Sequence, residues 1–282
     1  MQANGSDRLS HRDFQRLASF IENYSGIKMP PAKITMIEGR LRRRARAMEK
    51  PDLKQYCAFL FEKDGLATEA VHLIDAVTTN KTEFFREPDH FRFMAEEGVP
   101  QLLSRPRDGG RSPLKIWSAA CSMGAEVYTI AMVLADLSLK LSGLRFNITG
   151  TDLCTTVLQT AMQGIYPLAM LQPVPPEFRR RYVMHSKNRS HQQARIVPEL
   201  RAMARFGRLN LMDSAYPMDR DQDMIFCRNI LIYFGKTAQE AVLQRLCAHL
   251  RPGGYLFLGH SETLAGFSLP LQPMGPTTFR RL

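Results

Sequence analysis

The segment Thr78-Thr79-Asn80-Lys81-Thr82-Glu83-Phe84-Phe85-Arg86-Glu87 concentrates chemistry that a plain helix connection has no use for. An amide, hydroxyls, two adjacent aromatic rings and an arginine stand within one decapeptide, which reads as a polar site walled by apolar rings. Shortly after it, an apolar strand breaks into a turn of small residues, Lys115-Ile116-Trp117-Ser118-Ala119-Ala120-Cys121-Ser122-Met123-Gly124-Ala125-Glu126. Together the two segments predict a cofactor seat with an active-site lip.

In an open α/β sheet, ligands sit beyond the carboxyl ends of the strands, at the point where strand order reverses. Three loops here leave such ends. The small residues after the first strand let a ligand approach the backbone, and the absence of G-x-G-x-x-G disfavours a pyrophosphate-binding dinucleotide site. The second strand ends in Asp152, whose carboxylate is placed to accept both hydroxyls of a ribose. A plainer reading makes Asp152 a cap for the following helix. A later strand ends in Cys227-Arg228-Asn229-Ile230-Leu231-Ile232-Tyr233-Phe234, an asparagine followed by an apolar wall and a tyrosine over the reacting group. Tyr233 alone could equally be a core aromatic. A nucleotide-like ligand, no pyrophosphate loop and a basic surface point to S-adenosylmethionine.

The elements that must position these residues fall into two patterns. Ser10 with Asp13 opens a helix carrying Phe14, Leu17, Ala18 and Ile21, and Gly26 ends it. Pro30-Pro31 opens a second helix with Ile34, Ile37 and Leu41 on one face. Helical stretches follow through Tyr56–Phe61 and Glu69–Val77, and the domain boundary is expected near Thr78. From Leu114 strands alternate with helices: Ile116–Ser118, an amphipathic helix Glu126–Leu141, Phe146–Asp152, a helix Thr156–Met162, Phe206–Leu211, Met224–Cys227 and a helix from Lys236 to Leu250 that stops at Pro252-Gly253-Gly254. Tyr255–Gly259 and Thr278-Phe279 close the pattern. This predicts an α/β fold with a doubly wound, mostly parallel sheet behind an N-terminal all-helical domain. Tyr182–Phe206, with a polar tip at Ser186-Lys187-Asn188-Arg189-Ser190, reads as a small antiparallel β-insertion.

Composition narrows the class. A chain of 282 residues with 44% hydrophobic content can bury a substantial core. Its five cysteines, Cys57, Cys121, Cys154, Cys227 and Cys247, are scattered without a C-x-x-C pair, so neither a disulfide framework nor a metal is expected. The start of the chain lacks a signal-peptide core, and no apolar run spans a bilayer, so a cytoplasmic protein is expected. The formal net charge of +11 favours an acidic partner.

The segments Thr78–Glu87, Trp117–Met132, Thr151–Tyr166, Phe226–Phe234 and Gly253–Glu262, in this order and over nearly the whole chain, resemble the chemotaxis-receptor glutamate methyltransferases, the CheR family. The resemblance implies a class I S-adenosylmethionine-dependent methyltransferase fold. It assigns Asn80, Thr82, Arg86, Glu126, Asp152, Asn210, Leu211, Asn229 and Ile230 to cofactor binding, and Arg86 and Tyr233 to catalysis. It divides the chain into a receptor-docking domain (1–78), a linker and lip (79–113) and a cofactor-binding domain (114–282) with the β-insertion at about 177–207. The small-residue turn departs from the family at Met123, Ala125 and Val127; Cys154 stands where an acidic residue is frequent, and Gly235 where aspartate is usual.

The implied reaction methylates receptor glutamate carboxylates and leaves S-adenosylhomocysteine. A glutamate is ionised at neutral pH, so no general base is required, and positioning can contribute ~7–11 kcal/mol. Arg40, Arg42, Arg43, Arg44 and Arg46, too dense for helix pairing alone, are the expected docking surface for acidic chemoreceptor cytoplasmic domains. The β-insertion would hold a receptor C-terminal peptide by strand addition. A monomer recruited to membrane-bound receptor arrays is expected, without a nucleic-acid partner. A nucleic-acid methyltransferase is disfavoured because Asn229–Tyr233 contains no proline; a non-catalytic adaptor is supported only by the altered turn.

Overall fold

The protein was analysed as a computed structural model, which describes residues 7–105, 112–186, 188, 190 and 192–282. The first helix, α1 (His11–Ser25), starts where expected: the Ser10 hydroxyl accepts from the Asp13 N–H at 3.0 Å and donates to its carboxylate at 2.6 Å. Gly26 ends it at φ 74°, a left-handed cap. A 3₁₀ turn, Pro31–Lys33, leads into α2 (Ile34–Ala47), followed by α3 (Leu53–Glu62) and α4 (Leu66–Val77). These four helices bury Leu17, Ile21, Ile37, Leu41, Tyr56 and Leu73 in a core of their own.

After the lip come α5 (Asp89–Phe93), a π-helical turn Met94–Gly98 and α6 (Val99–Ser104). The large sheet takes β1 (Leu114–Ala119) and β2 (Phe146–Asp152), separated by α7 (Ala125–Ser138), with α8 (Thr155–Gln163) after β2. A small sheet uses β3 (Ile165–Pro167), β4 (Val183–His185) after α9 (Pro176–Tyr182), and β5 (Gln193–Ile196). The chain then re-enters the large sheet: α10 (Pro198–Ala202), β6 (Ala204–Arg208), β7 (Gln222–Cys227), α11 (Lys236–His249), β8 (Leu250–Leu258), β9 (Leu271–Gly275) and β10 (Thr278–Arg281).

Strand order in the large sheet is β6-β2-β1-β7-β8-β10-β9. The first five are parallel, and β10 runs antiparallel to β8 and β9. The chain moves outward from β1 through β2 to β6, then returns to β7 on the other side of β1. Loops leaving β1 and β7 therefore diverge, which opens a crevice at their carboxyl ends. All six residues of β7 are buried, as a central strand covered on both faces requires.

Several elements differ from the sequence expectation. Helix α7 is not amphipathic: Val127 to Leu134 are buried, because the sheet covers one side and α10 and the π-turn cover others. The small antiparallel sheet, in order β3-β5-β4, begins at Ile165, upstream of the expected insertion, and residues 204–207 belong to β6 of the large sheet. A three-residue strand containing a proline carries too little alternation to be seen in sequence. The expected polar tip includes Lys187 and Arg189, and the expected linker includes 106–111; these lie outside the described residues. Pro252-Gly253-Gly254 falls inside β8, where the β7 register shifts between Gln222 and Met224, rather than in a loop. Among the described residues no helix is long and apolar enough to cross a membrane.

Candidate functional site

One cleft opens over β1, β2 and β7, and its walls include Asn80, Thr82, Arg86, Glu126, Asp152, Asn210, Leu211, Asn229, Ile230 and Tyr233. The fold thus brings together residues from five separate stretches of chain. The turns around the cleft are held in unusual backbone conformations. Phe85, Glu87, Ala120, Ser122 and Asn229 all have φ between 51° and 60°, a left-handed region that costs energy without glycine. Gly124, at φ 83°, is needed for another reason as well. A Cβ there would stand 2.8 Å from Cβ of Ala161, so this glycine serves the close approach of α8 rather than that of a ligand.

Asp152 closes β2 with its carboxylate buried. One oxygen accepts the Ser122 N–H at 2.8 Å and the other the Cys154 N–H at 2.9 Å. It therefore ties the β1 turn to the β2 turn, and it does not cap α8 through its own side chain. That task falls to Asp75 of α4, which accepts the Thr155 N–H at 3.0 Å across the two halves of the molecule. Burial raises the Asp152 carboxyl above its ordinary range, against the opposing pull of the backbone N–H groups of Cys154 and Ser122. A carboxylate offers about four acceptor positions, so capacity remains for hydroxyl donors in the cleft.

Arg228 organises the charge beneath the cleft. Its guanidinium reaches Glu126 Oε2 and Glu87 Oε2, each at 3.0 Å, and also the Arg86 carbonyl. The side chain is only 3% exposed, so removing either carboxylate would leave a buried charge poorly compensated. Burial alone would raise the Glu87 carboxyl. The amide of Asn229 and the charge of Arg228 outweigh that and hold it at about 2. Ser118 completes the arrangement by donating to Glu126 Oε1 at 2.7 Å.

The β7 turn is held from below by Glu262. Its two oxygens accept four backbone N–H groups, those of Gly259, Asn229, Ile230 and Leu231, at 2.6 to 3.0 Å. Gly259 is required for this fit: a Cβ at that position would lie 2.3 Å from Asn229 Nδ2. Leu231 to Tyr233 then form a 3₁₀ turn that places Ile230 and Tyr233 on the cleft wall.

The lip is anchored by its aromatic rings. Phe84 is buried edge-on against Tyr166, and Phe85 packs on Phe91 and Phe178. Neither ring lines the cleft, contrary to the sequence expectation of a ring-walled site. Their apolar area is worth more in the core beside α7, and the Phe85 N–H is fixed there by Thr129 Oγ1 at 3.1 Å. Arg86, next in sequence, points the other way into the cleft wall. Among the described residues no carboxylate lies within ion-pairing distance of its guanidinium.

The helical half closes the cleft from the opposite side. Tyr24 O accepts from Asn210 Nδ2 at 2.6 Å, and the Lys28 N–H donates to Tyr233 O at 3.1 Å. Lys33 lies in the cleft wall with its ammonium 5.6 Å from the Tyr233 ring centroid.

The five arginines of α2 do not form one surface. Arg44 pairs with buried Glu69 (Nη2–Oε2 2.7 Å), which also accepts from Tyr56 Oη at 3.0 Å. Arg40 donates to Thr78 O at 2.8 Å and Thr79 Oγ1 at 3.0 Å, so it props the start of the lip. Arg42 bonds to Asp7 O at 2.6 Å and Glu38 at 3.3 Å. Only Arg43 and Arg46 of the five are exposed. The density that sequence alone could not pair locally is explained by partners on α4 and near the start of the chain.

Sequence reasoning missed Arg228, Glu262 and Lys33 as site residues. The first two stood inside quoted motifs, adjacent to Asn229 and after Gly259, and a buried charge beside a strand end was the available signal. Lys33 sits at the start of a helix with no local mark.

The cleft's chemistry suits S-adenosylmethionine: a buried carboxylate with spare acceptor capacity at the end of β2, and separated charges of both signs for a ligand that is itself a sulfonium zwitterion. Comparison with known proteins agrees. A family model described as CheR methyltransferase, SAM binding domain, matches residues 80–279, and one described as CheR methyltransferase, all-alpha domain, matches residues 12–78. The chain is 34% identical over 270 residues to chemotaxis protein methyltransferase 2 of Pseudomonas aeruginosa, covering 96% of this chain and 93% of that protein. It is 36% identical over 271 residues to the chemotaxis protein methyltransferase of Salmonella typhimurium, covering 96% and 90%. The Escherichia coli chemotaxis protein methyltransferase is 35% identical over 271 residues, covering 96% and 91%. With both halves matched in order and the cofactor-binding fold in place, the chain belongs to the CheR family of S-adenosylmethionine-dependent methyltransferases.

Proposed function

We propose that this protein methylates side-chain carboxylates of chemoreceptor glutamates, giving glutamyl methyl esters, with the cleft as its active site. The observation that carries this reading is the contrast between its two arginines. Arg228 is committed to Glu87 and Glu126, whereas the Arg86 guanidinium lines the cleft without an internal carboxylate among the described residues. Arg86 is thus available to orient an incoming carboxylate. Bound S-adenosylmethionine supplies an electrophilic methyl group and departs as S-adenosylhomocysteine. A carboxylate acceptor is already ionised at neutral pH, so the chain need supply no base. Asp152, Asn210 and Asn229 hold the cofactor in this reading, Glu126 and Arg228 set the charge beneath it, and Tyr233 walls the reacting centre. Their shared contribution is in-line positioning and exclusion of water.

The helical half (1–78) carries receptor docking in this proposal, with Arg43 and Arg46 as the contact residues because they alone of the cluster are exposed. Residues 79–113 form linker and lip, and 114–282 the catalytic unit. The small sheet ends in β3 and β4, whose outer edges suit addition of a receptor C-terminal strand. The setting is a cytoplasmic monomer recruited to membrane-bound receptor arrays.

The test is incubation of purified protein with methyl-labelled S-adenosylmethionine and chemoreceptor cytoplasmic fragments, followed by alkali. Release of labelled methanol from a receptor is the expected result. Cofactor binding without label on any fragment overturns the glutamate assignment.

A further inference from the structure

We propose that Glu87, His90 and His260 form a second site beside the cofactor cleft, one that takes a divalent cation of the zinc class and opposes cofactor binding when filled. One candidate ligand atom from each residue lies within 4.8 Å of the other two. Glu87 and His90 are three residues apart: Glu87 stands in the left-handed turn just before α5 and His90 in its first turn, which brings Nδ1 to 3.7 Å from Oε2. His260 reaches them from the end of β8, its ring 5.2 Å from that of His90 between centroids.

The observation that points to a ligand is the state of His90. The residue is 1% exposed, yet its Nδ1 has no hydrogen-bond partner. Its other nitrogen, Nε2, lies 2.9 Å from Thr277 Oγ1. A hydroxyl can accept, and with the ring proton on Nε2 and directed at Thr277 Oγ1, Nδ1 presents a bare lone pair. That lone pair stands 3.7 Å from Glu87 Oε2, too far for a hydrogen bond. An imidazole held through one nitrogen by a neighbouring polar group, with its other nitrogen unpartnered and facing a carboxylate, is the kind of arrangement that presents a histidine to a metal. Two imidazoles and one carboxylate suit zinc, with a fourth position for water. His260 is exposed, so its ring can turn to close the ligand set, and the cation has an entry path.

One force opposes occupancy. Arg228 Nη2 is 3.0 Å from the same Glu87 Oε2, and Asn229 Nδ2 is 3.1 Å from Oε1. A cation therefore competes with a guanidinium for Glu87, which keeps affinity moderate. It also draws Glu87 away from the two residues that connect the lip to the β7 turn. Cation and cofactor should then weaken each other by the same factor.

The test uses the untagged full-length protein and Zn²⁺ alone, titrated against a chromophoric chelator. One ion per chain is expected, with affinity lowered about tenfold or more in His260→Ala. Co²⁺ substituted for Zn²⁺ should give the absorption of a four-coordinate imidazole site in the parent and lose it in the variant. Cofactor affinity, measured by calorimetry, should fall severalfold in zinc-loaded parent and stay unchanged by zinc in His260→Ala. Since His260 is exposed, that variant is expected to fold; His90→Gln serves as a second disruption of the site. Equal zinc affinity in parent and His260→Ala, or no binding in the parent, overturns the site. Unchanged cofactor affinity in the zinc-loaded parent overturns the coupling.

Discussion

The Glu262 carboxylate accepts the backbone N–H of Asn229 at 3.0 Å, joining residues 33 positions apart at the floor of the cleft. The same side chain holds three further N–H groups, and Asn229 sits at φ 60°. One buried side chain thus fixes a strained turn, and the turn aims Asn229, Ile230 and Tyr233. Glu262→Ala leaves those donors without their acceptor, and each buried unsatisfied group costs about 1–3 kcal/mol. We expect a loss of roughly 3 kcal/mol in stability and at least a tenfold weaker cofactor. Urea unfolding followed through the single tryptophan, Trp117, and calorimetry would measure the two. A variant of full stability and affinity would remove Glu262 from the account.

Arg86 and Asp152 line the same cleft but should fail differently. Arg86→Ala is expected to lower turnover by at least tenfold while leaving cofactor affinity within a few-fold, since its proposed partner is the acceptor carboxylate. Asp152→Ala should do the reverse and mainly weaken the cofactor. Loss of both parameters together in Arg86→Ala would show that the guanidinium serves the cofactor instead.

Asp152 also predicts a pH signature. Its folded-state carboxyl is raised above the ordinary 3.8 by burial. The folded chain therefore holds a proton that the unfolded chain has released, and stability falls as pH rises from 3.8 through the raised value. Asparagine does not titrate. The stability of Asp152→Asn relative to the parent should accordingly climb between pH 3.8 and neutrality, whatever its constant offset. Parallel urea curves of the two proteins across that range test this, and a constant difference between them would contradict it.

The α2 arginines divide into two classes by partner. Reversing Arg43 and Arg46 to Glu touches no internal ion pair, so stability and cofactor affinity should hold while receptor methylation falls severalfold. Arg44→Glu breaks the pair with buried Glu69, and loss of one partner from a buried pair costs about 3–5 kcal/mol. Thermal melts beside methylation assays separate the two effects. If the double reversal leaves methylation intact, docking lies elsewhere.

Much of this molecule could be read from local sequence, because helix caps and strand periods are written within a few residues. Ser10 and Asp13 with Gly26 bounded the first helix, and the strands expected at Ile116–Ser118, Phe146–Asp152 and Met224–Cys227 from their apolar runs lie within β1, β2 and β7. The ten residues singled out for the cleft do share one cavity: seven stand at or after the carboxyl ends of parallel strands, and Asn80, Thr82 and Arg86 come from the lip between α4 and α5. What sequence could not show depends on contacts between distant segments. Arg228 lies 141 residues from Glu87 and 102 from Glu126, and only the sheet order brings the three charges together. Phe84 and Phe85 turned into the core and Arg86 toward the cleft because the backbone there was fixed by Thr129 on another element. Helix α7 lost its amphipathic character when a second layer covered its outer face. Thus sequence alone determined the main helices and strands, their order and the residue types at the strand ends, though not the short strands of the small sheet. Tertiary structure decided which charges are paired internally and which face the cleft without a carboxylate partner among the described residues, because a charged side chain's surroundings are set by what packing places within a few ångströms of it.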